Sequence, residues 1–393
     1  MKAVFAHDHI FLRNSAGIYL SEKLPYTLWK SRYLTMFDII DIVARSEWTG
    51  PSGTAGRAPA VGPGVQVFPV PSLSSPMGRI FNRAEAHRVL HERIKSADCV
   101  IVRLPSEIGE AAAAVARKIG KPTAVEMVAC AWDSLWTYGT WQGKVYAPIS
   151  YCSTRAVVGR ASHVIYVTEH FLQRRYPTKG CTAAVSDVVI DPPSPSFLED
   201  RLEKKREKQE GLKIGMIGNL LPYKGIDTLL KAGFYLKRRG VADFRLCFLG
   251  GGDPDPWKAL AARLEVAQLC EFHGVLPAGP SVWKWLDDID IYVQPSLMEG
   301  LPRATVEAMS RGCPVIGSTV GGLPELLPPE NLHKPRDVHR LADLIERMLI
   351  DSSWRRECSR ATFSKALEYS PKILDQRRQA FWRHFIGGVR TSK

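Results

Sequence analysis

The sequence lacks the cysteine spacings of a zinc ribbon or a disulfide-stapled domain. Its 393 residues include eight cysteines, and no two of them form a CxxC pair. Most stand beside apolar residues, as Cys99 does before Val100 and Cys247 does after Leu246. Such cysteines are typical of buried thiols in a reducing compartment. The sequence therefore predicts neither disulfides nor a metal site built from cysteine.

Long hydrophobic runs are missing as well. The longest run of small apolar residues, from Ala111 to Ala116, is far shorter than the ~20 residues that a membrane-spanning helix needs. Residues 1–10 have one lysine and a short apolar stretch before His7, which is not the long apolar segment of a signal peptide. We therefore expect a cytoplasmic protein.

The positive charge is not gathered in one place. The formal net charge is +13; residues 1–198 have 22 basic and 15 acidic side chains, and residues 199–393 have 31 and 25. A nucleic-acid-binding protein more often shows a dense basic stripe or a recognisable module, and neither is visible. We expect no nucleic-acid partner, whereas an anionic substrate or an anionic membrane surface fits the charge.

What the sequence does contain is a repeated alternation of apolar strands with helical segments. Apolar runs at residues 3–6 and 99–102 belong to a first series, and runs at 213–217 and 245–249 begin a second series. This alternation predicts an α/β fold with two Rossmann-like, doubly wound domains.

The boundaries follow from composition. We place the first domain at residues 1–195 and the second at residues 212–370, with a final helix at residues 371–393 that packs back on the first domain. Residues 196–211 are highly charged and almost without an apolar face, which predicts a solvated linker.

In an open parallel sheet, ligands bind beyond the carboxyl ends of the strands, so the loops there are candidate sites. The first such loop of the second domain runs from Gly218 to Gly225 and contains Lys224. A glycine lets a phosphate approach the backbone, and a lysine neutralises it. A tight turn with a surface lysine explains the same residues equally well. The next loop, with three glycines at 250–252, is a weak signal.

The third loop carries two acids, Glu299 and Glu307. Pro302 suits the first position of a helix, so Glu299 lies before that helix and Glu307 in its second turn. The helix N-terminus would present free amides to a diphosphate without a metal ion, while the carboxylates hold sugar and ribose hydroxyls. Core-type neighbours of Glu307, such as Ala308, favour this interpretation over two ordinary surface acids. A fourth loop, at residues 318–325, adds a glycine pair.

In this order and spacing, the four loops resemble those of the retaining glycosyltransferases of family 4, which have the GT-B fold of two Rossmann-like domains facing a cleft. The resemblance is close over residues 210–370 and loose over the first half. It implies transfer of a sugar from a nucleotide-diphosphate donor with retention at the anomeric carbon. It also implies that no metal and no cofactor are required.

The resemblance assigns roles to single positions. Lys224 binds and stabilises the departing diphosphate, Glu299 faces the transferred sugar, and Glu307 holds the ribose. Asn219 stands where a basic residue is usual, so one phosphate cation is missing. The donor-binding residues that the resemblance implies are Gly17, Gly218, Asn219, Lys224, Val275, Glu299, Gly300, Leu301, Pro302 and Glu307.

The first half departs from the family pattern. Gly17 is the counterpart of a flexible glycine pair, and Arg103 and Glu126 follow strands where the family often has histidines. We predict that Arg103 supplies the missing phosphate cation and is catalytic together with Glu299 and Lys224. A structural salt bridge between Arg103 and Glu126 is the alternative.

Two further features bear on partners. His7 and His9 are weak candidates for a metal site, because alternate side chains of an extended segment point to opposite faces. Residues 77–95 read as an amphipathic helix that is either an ordinary surface helix or a peripheral contact with an anionic membrane.

The predicted function is a glycosyltransferase that builds a surface polysaccharide or another glycoconjugate on a glycan or lipid-linked acceptor. Two alternatives stay open: a catalytically silent nucleotide-sugar-binding subunit and a GT-B sugar-nucleotide epimerase.

Overall fold

The computed structural model describes residues 1–50, 54, 56–137, 140–191, 193–205, 211–241 and 243–391. The chain forms two compact units. The N-terminal unit comprises Met1–Val185 with Asp375–Lys393, and the C-terminal unit comprises Ser186–Leu374. The predicted boundary at residue 195 lies ten residues beyond the one observed.

The N-terminal unit contains nine strands and eight helices among its described residues. The strands are β1 (Lys2–Arg13), β2 (Tyr19–Ser21), β3 (Ile39–Trp48), β4 (Ala58–Pro59), β5 (Val65–Pro69), β6 (Cys99–Leu104), β7 (Thr123–Met127), β8 (His163–Tyr166) and β9 (Cys181–Ala184). The helices are α1 (Tyr26–Arg32), α2 (Pro76–Phe81), α3 (Arg83–Lys95), α4 (Glu107–Lys118), α5 (Ala131–Thr137), α6 (Trp141–Arg160), α7 (Phe171–Arg175) and α16 (Pro371–Thr391).

The sheet of this unit has a parallel core in the order β5-β3-β1-β6-β7-β8-β9, to which the short strands β2 and β4 add antiparallel pairs. The chain winds outward from β1 in both directions, as in a Rossmann fold. The strands are nearly continuous apolar runs because helices cover the sheet, and Val4, Val100, Val125 and Val164 share one buried cluster.

The first strand is longer than its apolar run predicts. It extends from Lys2 to Arg13, and its pairing with β3 shifts register between Ala6 and Ile10. His7 and His9 therefore lie inside the strand, beyond its predicted apolar run.

The C-terminal unit contains six strands and eight α-helices among its described residues. The strands are β10 (Leu212–Ile217), β11 (Phe244–Leu249), β12 (Cys270–Phe272), β13 (Ile291–Gln294), β14 (Val315–Ser318) and β15 (Leu332–His333). The helices are α8 (Pro195–Lys204), α9 (Ile226–Arg238), α10 (Asp255–Arg263), α11 (Pro280–Asp288), α12 (Arg303–Ser310), α13 (Leu323–Leu326), α14 (Val338–Ile350) and α15 (Ser352–Ala366).

This second sheet is parallel throughout, in the order β12-β11-β10-β13-β14-β15. The strand order reverses between β10 and β13, which is where open α/β sheets bind their ligands. The loops that follow β10 and β13 are the predicted Gly218–Gly225 and Glu299 loops.

The predicted linker at residues 196–211 differs from the structure. Helix α8 occupies residues 195–204, and its Leu198 and Leu202 pack against Phe363 in a small apolar cluster. Arg201 is buried and donates to the backbone oxygens of Leu286 and Ile289. Two leucines four residues apart are enough for a narrow apolar stripe on a helix. The sequence did not predict this helix because charged residues surround these two leucines. Residues 206–210 of the predicted linker lie outside the described residues.

Helix α16 belongs to the N-terminal unit from Asp375 onward. Trp382, on this helix, is fully buried, and its ring centroid lies 6.0 Å from that of Tyr33 and 5.6 Å from that of Phe37. None of the helices in the described parts of the chain combines the length and the apolar character needed to cross a bilayer.

Candidate functional site: the carboxyl edge of the C-terminal sheet

The loops after β10 and β13 are held together through their backbones. The amide of Leu297 donates to the carbonyl of Tyr223 at 2.7 Å. Gly225 ends the first loop with φ at 75°, and a Cβ there would lie 2.1 Å from the carbonyl oxygen of Pro295. Only glycine allows this approach, so the first loop fixes the position of the third.

The loops after β11 and β12 contact the same assembly. The amide of Leu220 donates to Gly251 at 2.7 Å, and the amide of Gly250 donates to Gly274 at 2.7 Å. These bonds connect the loops after β10, β11 and β12 side by side, and the weak glycine signal at residues 250–252 therefore marks a structural junction.

Gly321 performs a similar task for the fourth loop. Its φ is 57°, and a Cβ there would lie 2.1 Å from the carbonyl oxygen of Glu299. The amide of Gly322 donates to the carbonyl of Gly300 at 2.7 Å. The backbone around Glu299 is thus fixed on both sides.

Lys224 and Glu299 meet at the centre of these loops. Lys224 Nζ lies 2.7 Å from Glu299 Oε1, and their side chains are 17% and 9% exposed. Ser296 Oγ also donates to Oε1 at 2.7 Å, as does Gln294 Nε2 at 3.1 Å. Among the described residues, no donor reaches Glu299 Oε2. One carboxylate oxygen is fully engaged, and the other is left to accept from a ligand.

A buried polar network lies beneath Glu299, and the sequence analysis missed it. Gln294 Oε1 accepts from Tyr292 at 2.7 Å, and Gln294 Nε2 donates to Ser296 at 2.8 Å. Burial raises the pKa of Tyr292 well above its usual range, so this hydroxyl stays protonated and acts as a donor. Ser318 Oγ donates to the Ser296 carbonyl at 2.6 Å. The only available signal was a glutamine at the end of an apolar strand.

The helix after the third loop begins near its predicted position. Helix α12 starts at Arg303, one residue later than predicted, and Pro302 is its N-cap, whose side chain makes no hydrogen bond to the first amides. These amides carry the positive end of the helix dipole and are suited to an anion.

Glu307 lies in the second turn of this helix. Its side chain is 20% exposed and stands 3.9 Å from Arg303. Burial raises the pKa of Glu307, and the charge of Arg303 opposes that rise. A partly buried carboxylate of this kind is stabilised by hydroxyl donors from a ligand.

The predicted base contact lies beside the glycine junction. Val275 is 72% exposed, although it is apolar. A Cβ on Gly251 would lie 3.3 Å from Val275 Cγ2 and 3.7 Å from Asn219 Oδ1, so Val275 and Asn219 flank the same backbone. Gly218, Gly300, Leu301 and Pro302 all belong to these interlocked loops.

Arg103 and Glu126 form an ion pair within the N-terminal unit. They are register partners on β6 and β7, and Arg103 Nη1 lies 3.0 Å from Glu126 Oε2. The hydroxyl of Tyr33 donates to Glu126 Oε1 at 2.7 Å. The structure therefore has the salt bridge that the sequence analysis gave as the alternative; the catalytic role of Arg103 stays a prediction.

The remaining candidates of the N-terminal unit have local structural partners. His7 Nδ1 lies 3.1 Å from the carbonyl of Arg103, and His9 Nε2 lies 2.8 Å from Ser21 Oγ. Burial lowers the pKa of His9 to about 4, with Lys23 adding to the effect. Gly17 lies in the hairpin turn between β1 and β2, where its amide donates to Asn14 at 2.9 Å.

Two groups of side chains in the described parts of the chain have the composition and proximity of a metal site. One comprises His163, Cys181 and His384, and the other comprises Cys247, Glu271 and His273. The sequence analysis found neither, and neither includes a predicted donor-site residue.

Comparison with known proteins identifies the family. Residues 199–365 match the family model for glycosyl transferases group 1. Protein CapJ of Staphylococcus aureus is 31% identical over 360 residues, which span 91% of this chain and 88% of CapJ. The chain belongs to the group 1 glycosyltransferases.

Another relative matches a shorter stretch. The putative colanic acid biosynthesis glycosyltransferase WcaL of Salmonella typhimurium is 34% identical over 139 residues, covering 32% of this chain and 33% of WcaL.

Solved structures extend the likeness of this group 1 glycosyltransferase to both units. Sucrose-phosphate synthase from Thermosynechococcus elongatus superposes with a TM-score of 0.67 at 17% identity, covering 98% of this chain and 99% of the synthase. Anabaena HepE in complex with UDP gives 0.65 at 17% identity and covers 100% of both chains. The fold is thus the predicted GT-B fold of two doubly wound α/β units.

Proposed function

We propose that this protein is a retaining, metal-independent transferase that moves a sugar from a nucleoside-diphosphate sugar to a glycan or lipid-linked acceptor. The observation that carries the proposal is the Lys224–Glu299 pair, with its 2.7 Å contact at the switch point of the parallel sheet. A cation for the diphosphate and an acceptor for sugar hydroxyls lie side by side on loops that glycines hold rigid.

The donor lies across the interlocked loops in this proposal. The diphosphate binds Lys224 and the uncapped amides of α12, the ribose hydroxyls bind Glu307, and the base lies along Val275. HepE, which has the same fold, has been solved with UDP, and UDP is accordingly the first nucleotide to test.

Positive charge from the protein stabilises the leaving group. Negative charge accumulates on the diphosphate as the bond to the sugar breaks, and Lys224 with the helix dipole opposes it. Glu299 orients the sugar through its free oxygen Oε2. A phosphate oxygen of the donor takes the acceptor proton on the same face, which accounts for retention without a protein base.

We assign acceptor binding to the N-terminal unit. We assign the product to surface glycan synthesis. WcaL, named as a colanic acid biosynthesis glycosyltransferase, supports a polysaccharide product. The predicted single helix at residues 77–95 is two helices, α2 and α3, and Met77, Ile80 and Phe81 on the first are 69%, 74% and 73% exposed. Apolar side chains so exposed on a basic protein suit peripheral contact with an anionic bilayer.

Membrane contact is tested with anionic vesicles at low and high salt. Replacement of Met77, Ile80 and Phe81 by serine abolishes binding if α2 is the contact. Val145→Ser with Ile149→Ser is the matched control, since these residues are 65% and 59% exposed on α6. Absence of wild-type binding at low salt rules out the contact.

The reaction is tested by incubating UDP-, GDP-, ADP- and dTDP-sugars with the purified protein in EDTA. Slow release of free sugar with the donor's anomeric configuration, seen by proton NMR, supports a retaining transferase. Conversion to an isomeric nucleotide sugar would indicate an epimerase. Donor binding without turnover in the presence of glycan acceptors would indicate the silent subunit.

A further inference from the structure

Three metal-ligating side chains meet on one face of the N-terminal sheet. His163 on β8 and Cys181 on β9 are register partners of adjacent parallel strands, so their side chains leave the sheet on the same side. His384 reaches them from α16, 203 residues further along the chain than Cys181. The ligand atoms of all three lie within 4.8 Å of one another.

The two imidazoles are already oriented toward each other. His163 Nε2 lies 2.8 Å from His384 Nδ1, and the other ring nitrogen of His163, Nδ1, lies 3.0 Å from Ser162 Oγ. The edges of Phe381 and Phe385 pack around the His163 ring, with centroids 5.8 and 5.1 Å away. A hydrogen bond to the outer nitrogen of a histidine is the usual support of a metal ligand, because it fixes the ring and its tautomer.

The thiol completes the set. Cys181 is half-buried, and in the described part of the chain no hydrogen-bond donor or acceptor engages its sulfur. It lines an open pocket together with Glu169, His170, Arg377 and His384. The pocket gives an ion access to the sulfur and space for a water molecule as a fourth ligand.

The nitrogen–nitrogen distance of 2.8 Å is close to what a small tetrahedral ion requires. With Zn–N bonds of about 2.0 Å and a Zn–S bond of about 2.3 Å, the nitrogens stand roughly 3.3 Å apart and each lies roughly 3.5 Å from the sulfur. The two imidazole nitrogens must therefore separate by about half an ångström, which small side-chain rotations provide.

We propose that His163, Cys181 and His384 bind a divalent ion of the zinc type, which fastens helix α16 to the edge of the N-terminal sheet. A set of two nitrogens and one sulfur suits Zn²⁺, whereas Mg²⁺ and Ca²⁺ prefer oxygen ligands. On binding, the thiol of Cys181 loses its proton to solvent and becomes a thiolate. The ring proton that made the histidine–histidine hydrogen bond moves, through solvent, to the other nitrogen of the same ring, and two metal–nitrogen bonds replace the hydrogen bond. None of the three ligands is among the predicted donor-site residues.

The second candidate group is a weaker ligand set. Burial and the charge of Glu271 raise the pKa of Cys247 to about 12, so its thiolate is costly to form. Glu271 already pairs with His273 at 3.4 Å. Cys247 nevertheless supplies an internal control, because it is a cysteine with two metal-ligating neighbours in the other unit.

The test is a titration of the full-length, EDTA-treated and dialysed protein with Co²⁺, which replaces Zn²⁺ with a visible spectrum. A thiolate ligand gives a charge-transfer band in the near ultraviolet. We expect this band to reach its maximum at one equivalent of Co²⁺ and to disappear when Zn²⁺ displaces the Co²⁺. Cys181→Ser removes this band, and His384→Gln weakens Co²⁺ binding at least tenfold, by rough analogy with losses at metal sites. Cys152→Ser and Cys247→Ser keep the band.

Stability gives a second readout. Zn²⁺ raises the melting temperature of the wild-type protein and of Cys152→Ser, but not that of Cys181→Ser, because a ligand that binds only the folded state stabilises it. Far-ultraviolet circular dichroism of each variant without metal establishes that it is folded. Absence of the band in wild type, its survival in Cys181→Ser, or its loss in Cys247→Ser would each overturn the proposal. None of these readouts depends on glycosyltransferase activity.

Discussion

The two units use the charged residues at the ends of their strands in different ways. In the C-terminal unit, Lys224 and Glu299 stand on loops beyond the strands, and donors from the described residues engage only one oxygen of Glu299. In the N-terminal unit, Arg103 and Glu126 lie within neighbouring strands, and Tyr33 and Arg103 engage one oxygen of Glu126 each. A charged pair with a free acceptor on a rigid loop is equipped for a ligand, whereas a pair enclosed by its own partners is equipped to hold the sheet.

The largest expected effect is the loss of activity when Lys224 or Glu299 of the C-terminal unit is removed. Lys224→Ala and Glu299→Ala each lower kcat for donor hydrolysis by about 10²–10³, because each removes a charged group preorganised at the reacting diphosphate or sugar. Lys231→Ala is the control, since Lys231 forms a half-exposed pair with Asp227 on α9. Equal rates for Lys224→Ala and Lys231→Ala would break the comparison.

The next largest effect is a loss of stability when Arg103 of the N-terminal unit is removed. Arg103→Ala lowers the free energy of unfolding by about 3 kcal/mol, because it leaves the buried carboxylate of Glu126 without its counter-charge. Urea unfolding measures the loss. Arg88→Ala, which breaks an exposed pair with Glu92 on α3, changes stability by less than about 0.5 kcal/mol.

A double variant of the pair decides between the two interpretations of Arg103. If the pair is structural, Arg103→Met combined with Glu126→Gln recovers much of the lost stability, and the donor dissociation constant stays at the wild-type value. A weakened donor affinity in a well-folded Arg103 variant would instead support the phosphate-binding role.

A smaller effect on kcat tests whether Gln294 positions Glu299. Gln294→Ala removes one donor to Oε1 and disconnects Tyr292 from the network, so we expect kcat to fall by about 10–100-fold with little change in KM. Gln268→Ala, at an exposed glutamine of the same unit, is the matched control. Equal changes in kcat and stability for both variants would mean that Gln294 does not position Glu299.

The smallest effect concerns pH. Because the pKa of Glu307 is raised on folding, the folded protein binds this proton more tightly than the unfolded chain, and stability is lost as pH rises from the ordinary value of 4.5 through the raised one. Glu307→Gln therefore stabilises the ligand-free protein at pH 7 and has no effect well below pH 4.5. Urea unfolding at both pH values checks this, with the exposed Glu357→Gln as control.

The Glu307→Gln variant gains stability, but its affinity for UDP falls. Loss of a charged acceptor for the ribose hydroxyls weakens UDP binding by about tenfold. A Glu307→Gln protein that gained stability and kept full affinity would show that Glu307 does not hold the ribose.

The difference between the units also explains what the sequence could predict. The donor loops were visible because their glycines, lysine and acids follow one another within a few residues of each strand, as Gly218 to Gly225 do. The alternation of apolar runs was enough for two doubly wound units, because buried parallel strands and their helices leave a strong pattern.

What the sequence did not reveal depends on contacts between distant residues. Gln294 is unremarkable until Tyr292 and Glu299 are seen on either side of it. His163, Cys181 and His384 share no local spacing, and the strand register and helix α16 alone bring them together. Helix α8 was hidden for another reason, since its two buried leucines are outnumbered by charged residues.

The central claim is that Lys224 receives a nucleotide diphosphate without a metal ion. Its most direct test is isothermal titration calorimetry with UDP in EDTA, on wild type, Lys224→Ala and Lys231→Ala. We predict that wild type and Lys231→Ala bind equally with or without Mg²⁺, and that Lys224→Ala binds at least about tenfold more weakly, as expected for loss of a charged hydrogen bond. Unchanged affinity in Lys224→Ala, or wild-type binding that requires Mg²⁺, would contradict the claim.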